Sequence, residues 1–198
     1  VPENLSTRLV RELGKRQPDP DDFTDDKFKV DDFSIDCMIL PTEWAGTGER
    51  IRGIFASRPA ALLHFGVANH ERGLRLEQFA YNECSARADA RGEQQLEAPI
   101  VDGAPHCLET PMNVDTLLGD LQRRGLAALT SSDPGRYICN QTYFLALHAA
   151  AETGPNIPVL FVHIPRAVDG PHQDTFDELV AGAGVVLSHV AQHTEPVR

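Results

Sequence analysis

Apolar positions along the chain fall into segments with two different periods. Leu5, Leu9, Val10 and Leu13 share one helical face, which predicts a helix over 5–13 with Asn4 or Ser6 as its cap. Residues 17–32, rich in Asp and holding Pro18 and Pro20, bury no face and read as a solvated loop. Residues 35–40 read as a strand ended by Pro41. Residues 47–57 suit a helix facing inward through Ile51, Ile54 and Phe55. Residues 60–67 form a near-continuous apolar run, the mark of a strand covered on both faces. Over 74–81, Leu74, Leu76, Gln78 and Ala80 alternate with Arg75, Glu77, Phe79 and Tyr81, which predicts a strand partly exposed on one face.

Residues 83–112 are polar and rich in Gly, Pro and Arg, and read as a long loop of the kind that carries function. Val114, Leu117, Leu118 and Leu121 predict a helix with Asn113 as N-cap and Gly125 just past its end. A short strand over 127–130 follows. Next come a helix over 140–152 with Tyr143, Phe144, Leu147 and Ala151 inward, a buried strand over 158–164 and a last helix over 175–193. This alternation predicts an α/β fold: a three-layer, mostly parallel twisted sheet with helices on both faces, in one domain over residues 1–198. Sheets of this kind usually open on a strand, and this chain opens on a helix. A leading strand missing from the chain is therefore expected, with an open slot beside the strand at 35–40 or at 60–67.

The charge balance, 18 basic against 29 acidic residues for a net −11, disfavours a nucleic-acid partner, which needs clustered cations. No run of apolar residues is long enough for a membrane span. The four cysteines form no CxxC, so neither a zinc ribbon nor a thioredoxin-type pair is written here, and a reducing cytoplasm is the default setting.

Three residues form a candidate catalytic set. Cys139 sits where the chain enters a helix, whose unpaired amides and partial positive charge favour a thiolate; the alternative is a small core residue. His163 stands near the C-terminal end of a buried strand, where open α/β sheets place ligands; the alternative is a structural histidine. Glu77 lies on a strand, where an acid is ordinarily exposed to solvent. Together they supply a nucleophile, a base and an orienting acid. His106 beside Cys107, and His189 with His193, do not make a metal-ligand set.

The segments Ile138-Cys139-Asn140, Phe161-Val162-His163-Ile164-Pro165, Glu77-Gln78-Phe79-Ala80-Tyr81-Asn82, Ser85-Ala86-Arg87 and Ala98-Pro99-Ile100-Val101 occur in an order that resembles pyroglutamyl peptidase type I, a family of cysteine peptidases. The resemblance implies Cys139, His163 and Glu77 as catalytic residues, with Arg87, Gly66 and Asn82 around the substrate and oxyanion. It implies removal of N-terminal pyroglutamate from peptides through a thioester, with no metal or cofactor, by a homo-oligomer that is often a tetramer in the family. The chain departs from the pattern at 66–73, where the family carries Gly-Gly-Arg, and after Arg87, where it carries Pro-Asp-Asn. The family's leading strand and aromatic pocket loop would precede Val1. A related thiol amidohydrolase of another small acyl substrate, or a relative that binds such a group without turnover, are the alternative readings.

Overall fold

The computed structural model describes residues 4–15, 34–95, 97–153 and 157–194. The Asp-rich loop expected over 17–32 lies outside them. In chain order the elements are α1 (Leu5–Lys15), α2 (Thr47–Ala56), β1 (Leu62–Val67), β2 (Leu74–Glu77), β3 (Phe79–Tyr81), β4 (Cys107–Glu109), α3 (Val114–Arg123), β5 (Ala128–Ser131), α4 (Ile138–Thr153), β6 (Val159–Ile164) and α5 (Phe176–Gln192).

The helices start where their caps dictate. Asn113 Oδ1 accepts from the Thr116 amide at 3.0 Å, and Gly125 takes φ +74° just beyond α3. Thr175 and Glu178 form a reciprocal capping box at the start of α5.

The main sheet has four strands in the order β1-β6-β2-β5. β1 with β6 and β2 with β5 run parallel, as expected, but β2 and β6 run antiparallel, so the sheet is mixed. Its two faces separate by residue parity. Leu160, Val162 and Ile164 of β6 face a core shared with α1, α3 and α5. Val159 and Phe161 face a second core formed with α2 and α4. Helices therefore cover both faces.

Several expectations are corrected. Residues 35–40 are not a strand, and Met38 and Ile39 are exposed. β1 packs side chains into both cores, Leu63 and Phe65 into one and Leu62 into the other, but less deeply than the apolar run predicts. It is the sheet's edge, paired with β6 alone among the described residues, and only His64 in it is buried. The single strand expected over 74–81 divides at Gln78. There the amide still donates to Ser131 of β5, at 2.8 Å, while the carbonyl accepts from Thr110, at 2.9 Å. The chain thus leaves the main sheet and pairs as β3 with β4 in a two-stranded ladder. β4 also gives the expected 83–112 loop a strand of its own.

Candidate active site

The antiparallel step between β2 and β6 creates the site. Its register sets Arg75 opposite His163 and Glu77 opposite Phe161, so the Glu77 and His163 side chains emerge diagonally on one face, within reach of each other. His163 Nδ1 lies 2.7 Å from Glu77 Oε1. Glu77, expected on a partly exposed face, is fully buried, and His163 is only 4% exposed. With Nδ1 taken by the carboxylate, Nε2 is left to serve the Cys139 side chain, whose sulfur approaches the backbone of Gly66, the β1 partner of His163. Burial would lower the His163 pKa, but its interactions with Cys139 and Glu77 outweigh it and raise the value to about 9.

Cys139 reaches this point because α4 begins at Ile138, two residues earlier than the pattern predicts, which puts the thiol in the helix's first turn. Gly66 of β1, the parallel partner of His163, lies beneath it. A Cβ at Gly66 would stand 3.2 Å from Cys139 Sγ and 2.7 Å from Phe161 Cζ, so the bare backbone there makes the close approach possible. Phe161 in turn packs against the His163 ring, with centroids 4.8 Å apart.

The remaining expected residues stand further out. Asn82 is buried, but both its donors go to the backbone: Nδ2 donates to Val101 and Ala104, and Oδ1 accepts from the Val101 amide. It braces the loop beyond β3. Arg87 is exposed, and its guanidinium sits 4.6 Å over the Tyr137 ring, two residues before Cys139.

Two supporting residues went unassigned in the sequence. Asn140, fully buried beside Cys139, accepts from the Tyr81 amide at 2.8 Å and donates to the Tyr81 and Glu83 carbonyls at 2.8 and 3.0 Å. It fastens the start of α4 to the chain leaving β3. Tyr143, also fully buried, donates its hydroxyl to the Glu77 carbonyl at 2.9 Å. The signal for Asn140 was its position on the inward stripe it shares with Tyr143, Phe144 and Leu147, where a polar side chain must find partners. After the site, the β1–β2 loop is tied down by Asp174, which accepts from the Gly73 amide and from Arg72 Nε, at 2.5 and 2.9 Å.

Comparison with known proteins places this geometry among peptidases. The profile of the pyroglutamyl peptidase family matches residues 21–179. The pyrrolidone-carboxylate peptidase of Pyrococcus furiosus is 28% identical over 142 residues, covering 71% of this chain and 68% of its own length. That of Brevibacillus brevis is 23% identical over 203 residues, covering 98% of this chain and 88% of its own. The crystal structure of the pyrrolidone carboxyl peptidase from Thermus thermophilus superposes with a TM-score of 0.80 at 26% identity, over 96% of this chain and 93% of that one.

Proposed function

The chain belongs to the pyroglutamyl peptidase family, and we propose that it removes N-terminal pyroglutamate from peptides with Cys139 as nucleophile, His163 as general acid and base, and Glu77 as the group that orients the imidazole. One observation carries the assignment of roles: a fully buried carboxylate 2.7 Å from an imidazole, with a thiol in the first turn of a helix set against Gly66, the strand partner of that histidine.

The reaction follows from that placement. The Cys139 thiolate attacks the acyl carbonyl of the pyroglutamyl residue. Amides of the first turn of α4 stabilise the oxyanion. The tetrahedral intermediate collapses with cleavage of the C–N bond, and the His163 imidazolium gives its proton to the departing amine. Neutral His163 then takes a proton from water, which attacks the thioester and releases pyroglutamate and the thiol. Glu77 holds the Nδ1–H tautomer and balances the imidazolium charge throughout. Gly66 keeps the floor beneath Cys139 free of side chain. Arg87 adds positive charge over Tyr137, while Asn82 acts through the loop it braces.

The same reading includes assembly as a homo-oligomer and a reducing, cytoplasmic setting, which suits the free thiols of Cys37, Cys84, Cys107 and Cys139. No helix among the described residues is long and apolar enough to cross a membrane. Release of a chromogenic amine from a pyroglutamyl amide tests the activity, and sedimentation tests the assembly. A protein that releases no amine from that substrate, while remaining folded, would contradict the proposal.

A further inference from the structure

Arg75 lies directly opposite His163 in the β2–β6 ladder and shares a face of β2 with Glu77. Its Nη2 is 3.8 Å from Glu77 Oε1, the oxygen that engages His163. The same nitrogen donates to Ser131 Oγ at 2.9 Å and to the Asp133 carbonyl at 3.4 Å. The cation is therefore anchored from β5 and the turn after it. The other Glu77 oxygen, Oε2, is buried with no hydrogen-bond partner. With His163 and Arg75 both directed at Oε1, the carboxylate is bound along one edge.

We propose that Arg75 is a positioning residue for the reaction: its anchored charge, 3.8 Å from Glu77, sets the pH window in which Cys139 and His163 hold their reactive protonation states. This rests on the roles given above to Cys139, His163 and Glu77. The titratable groups facing Glu77 are His163 from β6, Tyr143 from α4 and His70 from the β1–β2 loop, while Cys139 from α4 acts on His163. Asp133, from the loop before α4, faces Arg75. Of this set, Arg75 alone carries a positive charge at every working pH. Removing a cation makes each neighbouring group hold its proton more tightly. Arg75 and His163 share Glu77 Oε1, and Cys139 exchanges its proton with His163, so both limbs of the pH profile move the same way. A purely structural role would lower the rate at every pH and leave the limbs in place.

The test is the pH dependence of Cys139 alkylation by iodoacetamide, followed by mass spectrometry of the Cys139 peptide, beside the kcat/KM profile on a pyroglutamyl amide. Arg75→Gln removes the charge and keeps a donor for Ser131; Arg75→Lys keeps the charge. For Arg75→Gln the acid limb is expected about one pH unit higher, roughly 10-fold slower alkylation along that limb, with the alkaline limb displaced upward as well. Arg75→Lys is expected to stay close to wild type. Limbs unmoved in folded Arg75→Gln, or moved equally in Arg75→Lys, would overturn the inference. If wild type cleaves the amide and Glu77→Gln slows it, yet Arg75→Gln shifts nothing, only the role of Arg75 falls. If wild type cleaves no pyroglutamyl amide and Cys139 alkylates as an ordinary free thiol, the reading beneath it falls too. Should Arg75→Gln fail to fold, Ser131→Ala frees the guanidinium from its anchor, and a smaller upward shift is expected; no shift there counts against the proposal.

Discussion

Adding one methyl group at Gly66 should damage the site more than the fold. The new Cβ would stand 2.7 and 2.9 Å from Phe161 Cζ and Cε1 and 3.2 Å from Cys139 Sγ. Ordinary carbon contacts begin near ~3.5 Å, so the Phe161 ring must retreat by roughly 0.8 Å. It has little room to do so, since it is 3% exposed and packed against Tyr143, His64 and His163. Part of the displacement must pass to His163, part to Cys139. Overpacking of this kind costs about 1–3 kcal/mol, which at this chain length lowers the melting midpoint by roughly 2–10 °C. Displacing reacting groups by a sizeable fraction of an ångström costs up to ~10²-fold in rate. Gly66→Ala should therefore stay folded and lose about 10- to 100-fold in kcat on a pyroglutamyl amide. Thermal unfolding and steady-state kinetics on the same preparation measure both. Wild-type kcat in Gly66→Ala would refute the claim that Phe161, His163 and Cys139 are packed as one unit against this glycine.

Other changes separate the roles. Cys139→Ser should lose at least ~10⁴-fold in turnover with the melting midpoint preserved, whereas Glu77→Gln, which keeps a side chain of the same shape, should lose about 10²-fold; steady-state kinetics rank the two. Asn140→Ala leaves the Tyr81 amide and carbonyl without their partner and should cost about 2–4 kcal/mol in denaturant unfolding, in addition to lowering activity. Stability should also fall on both sides of mid pH. His64, buried with both ring nitrogens unpaired, has its pKa lowered by burial to about 4, so the unfolded chain takes up a proton first and up to ~3 kcal/mol is lost as pH falls from 6.5 toward 4. His163 behaves oppositely: its raised value means its contribution is complete below pH 6.5 and disappears as pH rises through about 9. His64→Leu should flatten the acid side of the stability profile and leave the alkaline side unchanged, as read by denaturant unfolding across pH.

Most helices were legible because their signals are local. Asn113 and Gly125 bracket α3, and the stripe of Leu117 and Leu121 faces the core as its spacing requires. Strand pairing is not local. Nothing in Leu74-Arg75-Leu76-Glu77 says that its neighbour β6 runs the opposite way, and that direction is what carries Glu77 to His163. The break at Gln78 depends on Thr110, distant in sequence and itself in a stretch read as loop. Residues 35–40 look like a strand by composition, but composition does not decide which segments join a ladder. The same limit applied at the site. Residue type and helix position singled out Cys139 and His163, whereas the burial of Glu77 and the engagement of Asn82 with Val101 follow from contacts that only the folded chain creates.

The central claim is that Cys139 carries the acyl group during turnover. Acid quenching of the enzyme during hydrolysis of a pyroglutamyl ester or amide, followed by peptide mass mapping, tests it most directly. A mass gain of one pyroglutamyl group on the peptide containing Cys139, absent from Cys139→Ser and lost on treatment with hydroxylamine, is the expected result. Acylation of another residue, or full turnover by Cys139→Ser with no adduct on the chain, would contradict the account.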